Sequence, residues 1–255
     1  GQLVRQRPSV SGVVLALNAA SLIDDCLKSL EWTDQRIVLV DNGTTDDTAH
    51  RAASARAQLY YRDFTTFAEQ RNAALDLVST DWILFVDADE RVPSNLAKEI
   101  RQVIDQDPEP VGFWVPRRNI ICGRWIKHAG WYPDCQLRLL RRGHALYETA
   151  MPVHEVAALD GPAGTLSQPL IHVNYRSLSD FWSRQRRYAR LAARGMIDRG
   201  ERPRIRSVAG QPLRELSRRF IQESGYREGP LGLALCLMVA LGTLETYARA
   251  TLKRP

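Results

Sequence analysis

At 255 residues the chain can bury a full core, and 44% hydrophobic with 25% charged residues is ordinary for a globular protein of one large domain, or of a domain with an appendage. Four scattered cysteines, Cys26, Cys122, Cys135 and Cys236, show no C-x-x-C spacing, which speaks against a structural zinc site or a disulfide framework and for a reducing compartment. The net charge of +6 is uneven: residues 1–160 carry 18 Lys/Arg against 22 Asp/Glu, and residues 161–255 carry 17 against 7, so an acidic body precedes a basic tail suited to nucleic acid or membrane phosphate.

The first apolar run, "SGVVLALN", is strand-sized and lacks the pattern of a secretory leader, so work on the cytoplasmic side is expected. "SLIDDCLKSL" then sets Leu22, Ile23, Cys26, Leu27 and Leu30 on one helical face behind a Ser21 cap. "RIVLVD" predicts a second strand ending on Asp41, followed by the turn-rich "NGTTDDT" and a helix through Ala49 to Ala57. "QLYY", "FAEQRNAALDLV" and "WILFVD" continue as strand, helix and strand. Alternation of this kind predicts parallel βαβ units, with strands reading as continuous apolar runs because both sheet faces are covered. Ligands in such sheets bind beyond the carboxyl ends of the strands, where Asn18, Asp41 and Asp87 collect.

After Pro93 a capped helix, "SNLAKEIRQVID", leads to a strand at "GFWVP". Residues 119–143 turn irregular and aromatic, with Trp125, Trp131 and Tyr132 among Arg124, Lys127 and His128: either a binding flap or a loop packed on its own tryptophans. A strand returns near 165–175. From Arg176 to Arg219 there are thirteen arginines and four acids, starting in a basic helix at "SDFWSRQRRYARLAARGMIDRG". The uncharged run Leu231 to Leu244 that follows has 14 residues, short of the roughly 20 needed to span a bilayer. It suits an in-plane or re-entrant membrane helix beside arginines that meet anionic headgroups, or else a core or dimer helix. Composition puts the domain boundary near 176.

"WILFVDADER" ends an apolar strand in Asp87 and Asp89, which period two tends to point the same way unless the turn intervenes. Two converging carboxylates call for a cation, and hard oxygen ligands suit Mg²⁺ or Mn²⁺ completed by phosphate oxygens. The plain alternative is a helix-capping acidic turn. A haloacid dehalogenase type of phosphatase also carries Asp-x-Asp after an apolar strand, but on its first strand and with Thr or Val following; here the strand is the fourth and Glu90 and Arg91 follow. Glu90 is expected to begin the turn or to pair with a nearby arginine.

The set "LALN", "VLVDNGTTDDT", "FAEQRNAAL" and "WILFVDADER", in this order over residues 12–92, resembles the nucleotide-sugar half of family 2 glycosyltransferases with the GT-A fold. "HAGWYPDCQLRLLRRG", "VHE" and "LIHVNY" look like the branch that adds sugars to the inner core of bacterial lipopolysaccharide, in the manner of its β-glucosyltransferases. The resemblance implies a Rossmann-like mixed α/β sheet flanked by helices over residues 1–175, with an acceptor half over 110–175, and a basic and apolar helical extension over 176–255. It implies that Asp41 accepts from uracil or ribose, that Asn18 and the Ala16 backbone line the base pocket, and that Gln70, Arg71 and Asn72 lie over the nucleotide. Asp87 would touch the ribose or an outer-shell water. Asp89, with His172 as a late ligand, would bind the metal that bridges the diphosphate. Glu155 is the implied base, and Trp131, Asp134, Arg138 and His154 the implied acceptor contacts. One departure stands out: Ala19 and Ala20 replace two acids usual after the Asn of the first strand, which loses a favourable charge at a helix start.

The expectation is therefore an inverting, metal-dependent transferase that moves a hexose, glucose by preference, from a UDP-sugar to a lipid-linked saccharide at the inner face of the membrane, with a homo-oligomer through the apolar helix also possible on its pattern. Alternatives are a polyprenyl phosphate, capsular glycan or protein acceptor, or a non-enzymatic membrane or nucleic-acid module. The tail leads into an apolar run rather than a reading motif, which argues against nucleic acid.

Overall fold

The computed structural model describes residues 7–149 and 156–252. The chain runs β1 (Val10–Ala16), α1 (Ile23–Lys28), β2 (Gln35–Asp41), α2 (Thr48–Ser54), β3 (Gln58–Arg62), α3 (Phe67–Leu77), β4 (Trp82–Asp87), β5 (Glu90–Arg91) and α4 (Ser94–Asp105). It continues through β6 (Gly112–Ile121), β7 (Arg124–Trp125), β8 (Asp134–Arg141), β9 (Ala145–Tyr147), β10 (Ala157–Leu159), β11 (Ala163–Thr165) and β12 (Leu170–Tyr175). The helices α5 (Leu178–Asp198), α6 (Ile205–Ser217) and α7 (Gly229–Leu252) follow, with a π turn at Arg218–Gln222 and a 3₁₀ turn at Gly225–Glu228 before α7. Two compact units result, residues 1–117 with 135–172, and residues 118–134 with 173–255.

The first unit carries the expected mixed sheet. Its order is β3-β2-β1-β4-β8-β6-β12-β5, parallel from β3 to β4 and antiparallel where β8 joins β4. β1 and β4 are buried along most of their length, which is why they read as continuous apolar runs. One face is covered by Ile23, Cys26, Leu27 and Leu30 from α1 and its flank, and by Leu96, Ile100 and Ile104 from α4. The other face is covered by Ala68 and Ala74 of α3 and by Tyr147 of β9.

Two local expectations are corrected. Ser21 does not cap α1: the helix starts at Ile23 with Leu22 at the cap and no side-chain bond, because the Leu22 and Ile23 amides both donate to the Ala19 carbonyl at 2.9 Å. Residues 134–141, expected to be irregular, form β8, with Leu137 to Leu140 all buried beside β4. A strand covered on both faces loses the alternation by which strands are recognised.

The second unit is held by Ile121, Ile126, Tyr175, Phe181 and Leu235, with Trp131 packed against them. Residues 118–134 therefore belong with the helices, a grouping that composition does not reveal because sequence-distant residues share this cluster. α7 has 24 residues, about 36 Å at 1.5 Å per residue, and is long and apolar enough to cross a membrane by length and composition. The uncharged run of 14 residues lies inside this longer helix. The charges that end the apolar run are absorbed by pairing, Arg249 with Glu245 at 2.7 Å and Arg186 with Glu245 at 3.3 Å, so the helix continues.

Phe181 is fully buried, 4.7 Å from the Tyr175 ring and 5.9 Å from the Trp131 ring. Phe181→Ala is expected to cost about 3–5 kcal/mol, read as a lower denaturant midpoint, with the tryptophan fluorescence of the second unit shifting before that of the first.

Candidate functional site

The strand register of the first unit brings the chemistry to one edge. Ala16 pairs with Val40 and Leu15 with Asp87, so the ends of β1, β2 and β4 lie side by side and present Asn18, Asp41 and Asp87 together. Beside them opens a cavity of about 300 Å³, lined by Ala16, Asp41 and Gln70 with Leu17, Phe64 and Phe67 among its walls. Phe64 and Phe67 pack edge to face at 5.1 Å, yet each is 48% exposed, so their rings are offered to the cavity rather than spent on the core. An apolar slot with a carboxylate at its end suits a planar base. Ala16, Asp41 and Gln70, named from the sequence, line this cavity, and Phe64 and Phe67, not named there, line it with them; their signal was a pair of aromatics in the otherwise polar "RDFTTF". A larger hollow of about 530 Å³ lies at the opposite end of β4, lined by Asp81, Trp82 and Arg141 among others. It sits at the amino end of the strand, where parallel sheets do not bind ligands.

Several expected contacts are already engaged. The Asn18 carbonyl oxygen Oδ1 accepts from the Thr45 amide at 2.9 Å, and Asp41 Oδ1 from the Gly43 amide at 2.6 Å. Gln70 Nε2 donates to the Asp63 carbonyl at 2.9 Å. Asn72 bonds the Tyr147 backbone at both ends, Nδ2 to the carbonyl and Oδ1 from the amide, each at 2.8 Å, which makes it a clamp between α3 and β9. The Ala19 and Ala20 amides donate to Thr48 Oγ1 and Asp46 Oδ2. Side chains at and just before the start of α2 thus satisfy the backbone amides of the two alanines.

The charged side chains of the "DADER" turn are all engaged, Asp87 and Glu90 by a shared arginine. Glu90 is fully buried; its Oε2 accepts the Asp87 amide at 2.9 Å, and its Oε1 pairs with Arg138 at 2.8 Å and Arg117 at 3.3 Å. Arg138 also bonds Asp87, and Arg71 approaches Asp87 at 4.0 Å. Arg91 fixes the backbone of the turn, donating to the Ala88 and Glu90 carbonyls at 2.7 Å and to the Leu22 carbonyl at 2.9 Å. Arg138, expected at the acceptor, is instead 3% exposed and serves as counter-ion to two acids. A buried guanidinium needs that neutralisation, and β8 lies against β4, which ends in Asp87 and is followed within three residues by Glu90.

Asp89 faces a different partner. β5 pairs antiparallel with β12 so that Glu90 opposes His172, and His172 Nε2 lies 3.3 Å from Asp89 Oδ2. A carboxylate oxygen and an imidazole nitrogen at that separation fit a divalent ion such as Mn²⁺. No group of three or more His, Cys, Asp or Glu side chains is placed to hold a metal among the described residues, so an ion here would draw its remaining ligands from phosphate and water.

In the second unit the Trp131 ring packs on Tyr175 at 6.1 Å and lies under Arg219, while Asn119 Nδ2 donates to the Trp131 carbonyl and to Asp134. The Glu228 carboxylate accepts from the Lys127 and His128 amides at 2.9 and 3.1 Å. A loop packed on its own tryptophans does not describe Trp131, whose ring partners Tyr175 and Phe181 lie outside the segment. Glu155 and His154 lie outside the described residues.

Burial opposes ionisation of Asp87, but the Arg138 guanidinium, helped by Arg71 and Arg117, outweighs it and holds the carboxyl at about 2. Burial pushes the Glu90 carboxyl up against the pull of Arg138. A depressed carboxyl contributes stability above its unfolded value and loses it as pH falls toward 2. Wild type should therefore exceed Asp87→Asn in unfolding free energy at pH 6, and the gap should narrow by about 1 kcal/mol by pH 2, after allowance for screening of a side chain that is 39% exposed. Denaturant titrations at the two pH values measure it.

Among curated proteins the chain is 27% identical over 246 residues to the lipopolysaccharide core biosynthesis glycosyltransferase LpsC of Rhizobium meliloti, covering 94% of this chain and 91% of the relative. It is 29% identical over 94 residues to an uncharacterized glycosyltransferase of Rickettsia prowazekii, of which it spans 32%. The crystal structure of S. aureus TarS 1-349 in complex with UDP superposes with a TM-score of 0.49 at 16% identity, over 94% of this chain and 91% of that one. The model of Glycosyl transferase family 2 matches residues 11–153, from the first strand through the base-sized slot and the "DADER" turn. With more than half of its length so matched, the chain belongs to glycosyl transferase family 2.

Proposed function

We propose that this glycosyltransferase moves a hexose, glucose by preference, from a UDP-sugar to a lipid-linked saccharide of the lipopolysaccharide inner-core kind, with inversion at the anomeric carbon. The observation that carries the donor reading is the slot of Ala16, Asp41, Gln70, Phe64 and Phe67 on the strand edge that also bears Asp87. A pyrimidine would lie in the slot against the exposed phenylalanine rings, with Asp41 to accept from it or from the ribose. Asp87, neutralised by Arg138, faces the ribose side. Asp89 and His172 would hold Mg²⁺ or Mn²⁺, which supplies positive charge against the departing diphosphate.

The acceptor hydroxyl oxygen bonds the anomeric carbon as the bond from that carbon to the diphosphate oxygen breaks, and the electron pair leaves with UDP. Glu155 takes the hydroxyl proton on the opposite face of the sugar. The acceptor class rests on the likeness to the Rhizobium meliloti relative over nearly the whole of both chains.

A membrane-side location is supported by the helices of the second unit. Leu233, Leu237, Leu241 and Leu244 of α7 are exposed and fall at spacings of four, four and three, on one helical face. Arg187, Arg190 and Arg194 of α5 have no carboxylate partner among the described residues, which leaves them for anionic headgroups.

Release of UDP from a panel of nucleotide sugars, with and without Mn²⁺, tests the donor; no release from any UDP-sugar would remove this reading. Asp89→Ala should abolish metal-stimulated release, by at least about 10²-fold, while the thermal midpoint stays within a few degrees. Glu155→Gln should keep UDP affinity and lose transfer by about 10²–10⁴-fold, and near wild-type transfer would assign the base elsewhere.

A further inference from the structure

The end of β6 and β7 form a ribbon in the second unit that gathers two cations on one tryptophan. Ile120 pairs with Trp125 and Ile121 with Arg124, and the Ile126 amide donates to the Asn119 carbonyl, so the pairing continues past β7. Arg118 lies two residues from Ile120 and Lys127 two residues from Trp125. Period two puts both on the Trp125 face, opposite each other. Arg118 Cζ is 4.0 Å and Lys127 Nζ 4.5 Å from the Trp125 ring centroid, and Tyr132 packs edge-on against the same ring at 5.3 Å.

Like charges opposed across a strand pair repel, and attraction to a shared ring offsets only part of that. Neighbouring Arg124 and His128 share the Glu228 carboxylate. Arg118 and Lys127 have no carboxylate among the described residues. A single species answers both the repulsion and the missing carboxylate: an anion with several acceptor oxygens, which a guanidinium fork can bind through two of them.

We propose that Arg118, Trp125 and Lys127 form a binding site for the phosphate of a phosphorylated saccharide. The identity of that saccharide as the acceptor rests on the function proposed above; the anion site itself does not. Lipid headgroups carry the same phosphate chemistry. The saccharide is favoured because none of the exposed large hydrophobic side chains among the described residues falls within 118–134, as a lipid-facing ribbon would require.

The test titrates the full chain with glucose 6-phosphate, with glucose, and with vesicles of phosphatidylglycerol in phosphatidylcholine, with UDP plus Mn²⁺ measured in parallel. Wild type should bind glucose 6-phosphate at least about tenfold more tightly than glucose, the worth of one charge-assisted hydrogen bond. Arg118→Gln with Lys127→Gln should abolish that preference and leave UDP affinity unchanged. Lys127→Arg should retain it, and Lys127→Gln alone, at an exposed side chain, should reduce it without disturbing the fold. Equal binding of glucose 6-phosphate by wild type and the double variant, with UDP binding intact, would overturn the proposal. So would a double variant that loses only vesicle binding, since the site would then belong to lipid. Sugar-phosphate binding by a wild type that binds no UDP would sink the donor reading and still support the anion site.

Discussion

The ion cluster of Glu90, Arg138 and Asp87 is the constraint on which the first unit depends. Glu90 has no solvent exposure and Arg138 almost none, so each is tolerable only because the other is present. Removing one partner of such a pair leaves an uncompensated buried charge, which commonly costs about 3–5 kcal/mol. Two carboxylates hold the Arg138 guanidinium above its usual range despite burial. The cluster also orders backbone: the Asp87 amide ends on Glu90, and Arg91 pins the carbonyls on either side of Asp89. That pinned turn presents Asp89 to His172, across the β5–β12 pairing.

The two aspartates of the turn thereby acquire different electrostatic characters. Asp87 lies among Arg138, Arg71 and Arg117 and is ionised well below neutral pH, its charge already balanced by protein. Asp89 meets an imidazole instead of an arginine and retains capacity for a cation. Period two would have sent both carboxylates the same way. The turn between β4 and β5 intervenes, and the motif divides into one residue held by arginine and one that faces a histidine.

The second unit is organised by a different kind of interaction. An apolar and aromatic cluster ties residues 118–134 to α5 and α7, and Glu228 fastens the Lys127 and His128 amides to the start of α7. Gly232 packs so closely on the Gly225 carbonyl that a Cβ there would sit 2.2 Å from it, so the helix start and the preceding turn meet backbone to backbone. Many arginines of the tail pair with carboxylates, among them Asp180, Glu201, Glu215, Glu223 and Glu245, whereas Arg187, Arg190 and Arg194 have none among the described residues. Only the second group is available to an anionic surface. A count of charges along the chain merges the two.

Much of the donor half was legible because local rules govern it. The strands and helices from Val10 to Asp105 follow from apolar runs and helical periodicity, and the placement of Asn18, Asp41 and Asp87 follows from the rule that parallel strands bind ligands at their carboxyl ends. Arg138 was misread and Glu90 left undecided between turn and ion pair, because a charge on a central strand looks solvated until its counter-ions are known, and these lie 48 and 51 residues away. β8 and the membership of residues 118–134 escaped for the same reason, each being set by pairing or packing with distant chain. The cations on Trp125 stand nine residues apart in sequence and face each other only in the ribbon. By itself the sequence determined the alternating strands and helices up to α4 and which polar residues stand at their strand ends, since these depend on neighbours in the chain. Only the tertiary structure decided which charges neutralise each other and which remain for a ligand, because that balance depends on distances between residues the chain keeps far apart.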